Sequence, residues 1–113
     1  MTVGIAILGS TGSIGQSALR VLARHRDRFH VSALTANSNA TLLAEQAAAL
    51  GTPFVGLVSG GPRPNSTWHM GPECMTEAAS LPDAQIVLNA VVGAVGMDAT
   101  LAALRAGKRV ALA

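Results

Sequence analysis

Val3-Gly4-Ile5-Ala6-Ile7-Leu8-Gly9-Ser10-Thr11-Gly12-Ser13-Ile14-Gly15 is the stretch whose reading decides the fold. A short apolar run of the buried-strand kind leads into three glycines at a spacing of three, and an apolar-periodic segment, Ile14 to Leu22, follows. That pattern reads as a strand, a tight turn and a helix. The first amides of a helix have no intrahelical partner and carry the positive end of its dipole, so a phosphate can sit there. Each glycine removes a Cβ that would otherwise block the turn, the ligand or the strand–helix contact. The stretch therefore reads first as a dinucleotide-binding unit. The plainer alternative is that the glycines only permit tight packing. No Gly-Lys-Ser/Thr follows them, which argues against a P-loop ATPase.

The rest of the chain extends the same alternation. Helix one carries Ile14, Ala18, Leu19, Val21 and Leu22 on its apolar side, and strand two is expected over 30–35. The polar cluster Thr35 to Asn39 ends that strand and offers Ser38 or Asn39 as the cap of a helix over 40–50, which Gly51 terminates. Strand three is expected over 54–58, a loop over 59–66, and a short helix over 73–80 closing the sheet edge. Strand four, 86–90, meets a second glycine turn, Val92-Gly93-Ala94-Val95-Gly96. A helix from Met97 to Arg105, stopped by Gly107, then feeds strand five over 109–113. The expectation is an α/β fold, a Rossmann-like doubly wound parallel sheet of about five strands. The chain would end on the fifth strand, as the front piece of a longer protein.

Composition agrees with a sheet buried on both faces: of 113 residues, 50% are hydrophobic and only 12% charged, enough for one domain. The net charge of +2 is too small to argue for nucleic acid, and Arg20, Arg24, Arg26 and Arg28 read as a solvated helix end. A single cysteine, Cys74, excludes an internal disulfide, and with His69 it lacks the further ligands a metal needs. No signal peptide is evident, and no apolar run reaches the roughly 20 residues that span a bilayer. A cytoplasmic protein with no membrane partner is expected.

Thr11, Gly12, Ser13 and Ile14 would offer backbone amides to a pyrophosphate, and the Ser10, Thr11 and Ser13 hydroxyls could add hydrogen bonds. An NAD site usually places Asp or Glu at the end of strand two. Residues 35–39 contain no acid, and Asn37, Ser38 and Asn39 are donors, which favours NADP(H). With no Lys or Arg on that loop, a 2′-phosphate would rest on neutral donors. At the second turn, Gly93 and Gly96 would let the backbone pass close to the cofactor's ribose or nicotinamide, or would simply close-pack a strand–helix turn. Asn89 is a turn residue or a ligand contact. Catalytic groups are missing: the acids are scattered, Lys108 sits in a turn where exposure is the default, His25 and His30 read as surface residues, and Met70 and Met75 as packing.

Taken together, Ala6 to Gly15, Val92-Gly93-Ala94-Val95-Gly96, and Arg105-Ala106-Gly107-Lys108 leading into Ala111-Leu112-Ala113 resemble the 1-deoxy-D-xylulose 5-phosphate reductoisomerase family. The resemblance covers the whole chain but only the family's N-terminal NADPH-binding portion; the family continues from the Leu-Ala ending into Asn-Lys-Glu. It implies an enzyme that isomerises 1-deoxy-D-xylulose 5-phosphate and reduces the aldehyde with NADPH to 2-C-methyl-D-erythritol 4-phosphate, in non-mevalonate isoprenoid biosynthesis. It also implies a divalent metal, Mg²⁺ or Mn²⁺, whose ligands lie outside this chain, a phosphosugar substrate, and a homodimer at full length. Alone, this portion would be inactive. NADPH contacts carry over to Thr11, Gly12, Ser13 and Ile14; the family's Gly-Lys-Asn on the strand-two loop stands here as Asn37-Ser38-Asn39, so only Asn39 matches. Two other readings stay open. One is the cofactor domain of another NADP-dependent oxidoreductase, of the semialdehyde dehydrogenase or short-chain epimerase type, which needs a reactive Cys or a Tyr-x-x-x-Lys; this chain has no tyrosine. The other is a non-catalytic NADP-binding module.

Overall fold

In the computed structural model, which describes residues 2–59 and 64–113, the apolar run becomes β1 (Val3–Leu8) and the segment after the glycines becomes α1 (Ser13–Ala23). The chain continues through β2 (Phe29–Ala36), α2 (Ala40–Leu50), β3 (Phe54–Leu57), β4 (His69–Met70) and α3 (Glu73–Ala79). β5 (Ile86–Asn89), a short 3₁₀ turn (Ala94–Gly96), α4 (Met97–Arg105) and β6 (Arg109–Leu112) complete it. All strand pairs are parallel, in the order β4-β3-β2-β1-β5-β6. The chain thus winds outward from β1 on one side, then returns to build on the other. This reversal places a crevice at the carboxyl ends of β1 and β5, where ligands of open α/β sheets bind.

Period-two alternation along the strands separates two apolar layers. Ile5, Ile7, Leu34, Val55 and Leu57 pack with Leu43 of α2 and with Ala18, Leu19 and Leu22 of α1. Ala6, Leu8, Ala33, Phe54 and Val87 face Cys74, Met75 and Ala78 of α3 and Ala99 and Ala103 of α4. The second layer is thin because its helices present small side chains. Gly56 contributes to this closeness, since a Cβ there would stand 2.6 Å from Cys74 Sγ.

Several expectations need correction. The sheet has six strands rather than about five, because His69 and Met70 add a two-residue edge strand after the loop; of that loop, 60–63 lie outside the described residues. Too short and too polar to carry an alternation, this strand leaves no periodic signal. The helix at α3 does not close the sheet edge but lies across the sheet face, burying Cys74, Met75, Ala78 and Ala79. Ile14 and Val21, placed on the apolar side of α1, are exposed, and Gly15 is the residue that α1 buries. Lys108 is not free in solvent: Nζ donates to the Leu81 carbonyl at 2.7 Å. Both glycine stops are found. Gly51 caps α2 in the left-handed region, and Gly107 (φ 77°) ends α4, with Lys108 N bonded to Ala103 O.

Candidate dinucleotide site

Turn 9–12 is held from beneath by its carbonyls. Gly9 N and Ser10 N both donate to Thr35 O at the end of β2, each at 2.9 Å, which ties the turn to the neighbouring strand. Gly9 O accepts from Gly12 N at 3.3 Å. Ser10 O accepts from Gln46 Nε2 at 2.9 Å, and Thr11 O accepts from Gln16 Nε2 at 2.8 Å. With the carbonyls engaged, the amides of Thr11, Ser13 and Ile14 donate no hydrogen bond among the described residues. α1 starts at Gly12 with no side-chain cap and no acid in its first turn. Free amides and an uncompensated dipole at one point make a pre-formed anion site.

The three glycines do different work. Gly9 has φ 83°, a conformation L side chains rarely adopt, so the turn itself requires it. A Cβ on Gly15 would overlap the Gly9 carbonyl oxygen and lie 2.7 Å from Ser10 Cα, so glycine lets α1 sit directly on the turn. Gly12 differs: its φ is −74°, and a Cβ would meet nothing nearer than Gly9 O at 3.6 Å. Nothing in the protein demands glycine at 12. Gly12 is exposed and lines the cleft beside the turn.

A cleft of about 360 Å³ opens beside this turn, over the ends of β1, β2, β3 and β5. Gly9, Thr11 and Gly12 form one wall, Thr35 and Asn37 the β2 end, and Val58, Met75, Val91 and Val95 an apolar flank. A second pocket of about 340 Å³ adjoins it, sharing Ala90 to Val92 and reaching Ile14, Gly93 and Leu112. Between the two, Asn89 builds the second turn. Its Nδ2 donates to Gly96 O at 2.9 Å and to Thr100 Oγ1 at 2.8 Å, while Oδ1 accepts from Val91 N at 3.1 Å. Both amide hydrogens are thus used within the protein, and Asn89 is a turn residue. Gly96 is tightly enclosed by it, whereas Gly93 (φ 82°) is exposed with open space around it.

The fold brings Gly9, Thr11, Gly12 and Asn37 to one cleft and Ile14 and Gly93 to the adjoining pocket. Ser13 is exposed at the start of α1, and Ser38 and Asn39 are exposed on the loop into α2, where Asn39 Oδ1 accepts from Leu42 N and caps the helix. The Ser10 hydroxyl points the other way: the residue is fully buried, and Oγ donates to Gln46 Oε1 at 2.8 Å. Gly15 is buried beneath the turn. Gln16, Gln46 and the cleft-lining Met75 were not legible as site residues, because a glutamine on a helix carries no periodic or motif signal. Cys74, the one thiol, is fully buried in α3, and burial, reinforced by Glu77 and Glu73, pushes it up to about 11. A protonated, enclosed thiol is no nucleophile. Among the described residues, no helix is long and apolar enough to cross a membrane.

Comparison with known proteins agrees with this geometry. The family model for 1-deoxy-D-xylulose 5-phosphate reductoisomerase matches residues 5–113. The chain is 46% identical, over 96% of its length and 29% of the relative's, to the 1-deoxy-D-xylulose 5-phosphate reductoisomerase of Oleidesulfovibrio alaskensis. It superposes on the Zymomonas mobilis enzyme solved in complex with NADPH with a TM-score of 0.88 at 35% identity, covering 100% of this chain and 32% of that one. A solved DOX-P reductoisomerase in complex with magnesium gives a TM-score of 0.90 at 32% identity, covering 100% and 31%. The chain therefore spans about a third of the length of these relatives.

Proposed function

The chain belongs to the 1-deoxy-D-xylulose 5-phosphate reductoisomerase family, and we propose that residues 1–113 form the NADPH-binding domain of such an enzyme. The observation that carries the proposal is the turn at 9–15, with its carbonyls bonded inward, the amides of Thr11, Ser13 and Ile14 free, and a glycine at 12 that the protein itself does not need. Thr11, Ser13 and Ile14 would hold the pyrophosphate through those amides, and Gly12, whose own N–H donates to Gly9 O, would leave room for it. Gly9 and Gly15 would shape the turn, and Ser10 would anchor it rather than touch the phosphate. The adenosine half would lie in the cleft toward Asn37, whose apolar flank of Val58, Met75 and Val91 suits a base. Asn37, Ser38 and Asn39 would read the 2′-phosphate, and Gly93 would border the nicotinamide half in the adjoining pocket.

NADPH bound there supplies the hydride that reduces the aldehyde formed when 1-deoxy-D-xylulose 5-phosphate is isomerised, giving 2-C-methyl-D-erythritol 4-phosphate. This chain's own part is to bind and orient the dinucleotide. The divalent metal, the substrate phosphate and the acid–base groups are assigned to the portion of the enzyme these residues do not include, so the chain alone is expected to turn over no substrate. The complete enzyme would be a cytoplasmic homodimer. A semialdehyde dehydrogenase or epimerase reading would need its reactive Cys or its Tyr-x-x-x-Lys from outside these residues, since Cys74 is buried and protonated and the chain has no tyrosine.

Parallel calorimetric titration of this chain with NADPH and NADH tests the proposal. Tighter binding of NADPH is expected; binding of neither would contradict it.

A further inference from the structure

We propose that Gln46 is a positioning residue for cofactor selection, locking the pyrophosphate turn and the 2′-phosphate loop into one register. The inference rests on the cofactor reading above. Gln46 lines neither pocket. Its amide grips Ser10 at two points: Oε1 accepts from Ser10 Oγ at 2.8 Å and Nε2 donates to Ser10 O at 2.9 Å. A single flat amide matched to a hydroxyl and a carbonyl of one residue fixes both position and orientation. Ser10 is fully buried, and its own N–H donates to Thr35 O on β2 at 2.9 Å.

These bonds have a topological consequence. Loop 37–39 leaves the end of β2 and enters the start of α2. Ser10 is bonded to β2 through Thr35 and to α2 through Gln46, the seventh residue of that helix, so the elements on both sides of the loop are tied to the second residue of the glycine turn. The distance between the donors at Asn37 to Asn39 and the amides at Thr11 to Ile14 is thereby set from below. With no lysine on that loop to reach flexibly toward a phosphate, recognition of the 2′-phosphate by short neutral side chains depends on this registration. NADH, which lacks that phosphate, depends on the turn and the two pockets but not on that spacing.

The test compares NADPH and NADH affinities of the wild-type chain, Gln46→Ala and Gln46→Glu, with folding followed by circular dichroism. Gln46→Ala is expected to weaken NADPH about tenfold, the size of one ordinary hydrogen bond, and NADH by clearly less, so that the preference for NADPH falls. Gln46→Glu keeps the shape and still accepts from Ser10 Oγ, but as a carboxylate it cannot donate to Ser10 O. With two acceptors then facing each other at Ser10 O, its preference for NADPH is expected to fall at least as far as that of Gln46→Ala at neutral pH. If Gln46→Ala does not fold, Gln46→Glu carries the comparison. Folded variants with an unchanged preference, whether both cofactors are weakened equally or neither is, would overturn the role of Gln46 while leaving the cofactor site standing. A wild-type chain that binds neither cofactor, or binds both alike, would overturn it together with the 2′-phosphate reading.

Discussion

Gly15 lies so close to Ser10 that a side chain on it would stand 2.7 Å from the Ser10 Cα and overlap the Gly9 carbonyl oxygen. Helix α1 is therefore seated on the backbone of its own leading turn. Gly15→Ala is expected to destabilise the fold by about 1–3 kcal/mol, the usual cost of overpacking, despite the better helix propensity of alanine. Urea denaturation checks it; an unchanged or raised midpoint would contradict the contact.

Gly12→Val should behave in the opposite way. The backbone there is extended and the Cβ position open, so the folded chain is expected to lose about 1 kcal/mol or less. NADPH affinity should fall at least about tenfold, since Gly12 lines the cleft beside the free amides. Equal affinity of wild type and variant, measured by nicotinamide fluorescence, would place the pyrophosphate elsewhere.

These two glycines show how far the sequence could be read. Their spacing gave the turn, and the apolar runs gave β1, β3 and β5, because strands buried on both faces need nothing but a continuous apolar stretch. The division of labour among the glycines was not legible, since it depends on the neighbours the fold brings to each. Gln46 lies 36 residues from Ser10, and no pattern links a helical glutamine to a distant serine. β4 is not legible because two residues carry no period, and α1 leaves Ile14 and Val21 of its apolar stripe exposed, which only the packing of the fold reveals. Asn89 was rightly singled out, but only the fold decides between turn and ligand.

Asn89→Leu is expected to cost about 2–4 kcal/mol, because two buried hydrogen bonds, to Gly96 O and Thr100 Oγ1, and a part-buried one from Val91 N vanish together. Thermal or urea unfolding checks this. A loss below about 0.5 kcal/mol would mean that the second turn keeps its shape without the amide.

At the opposite end of the sheet, Asp83 Oδ2 accepts from Ser32 Oγ and meets His30 Nε2, both at 2.7 Å. The Ser32 bond first, then the His30 bond, hold its carboxyl below the usual carboxylate value. A depressed folded value stabilises above the unfolded value of about 4 and is lost as the pH falls through the folded one. Asp83→Asn is thus expected to be less stable than wild type near neutrality, with the gap closing in acid. Urea midpoints across that range decide it, and a gap that does not narrow as the pH falls below the unfolded value of about 4 would contradict the linkage.

The most direct test of the central claim is an amide NMR titration of this chain with NADPH. The account predicts that the largest shifts fall on the free amides of Thr11, Ser13 and Ile14, with smaller ones at Asn37 to Asn39. Shifts concentrated elsewhere, or none at the turn while NADPH binds, would contradict it.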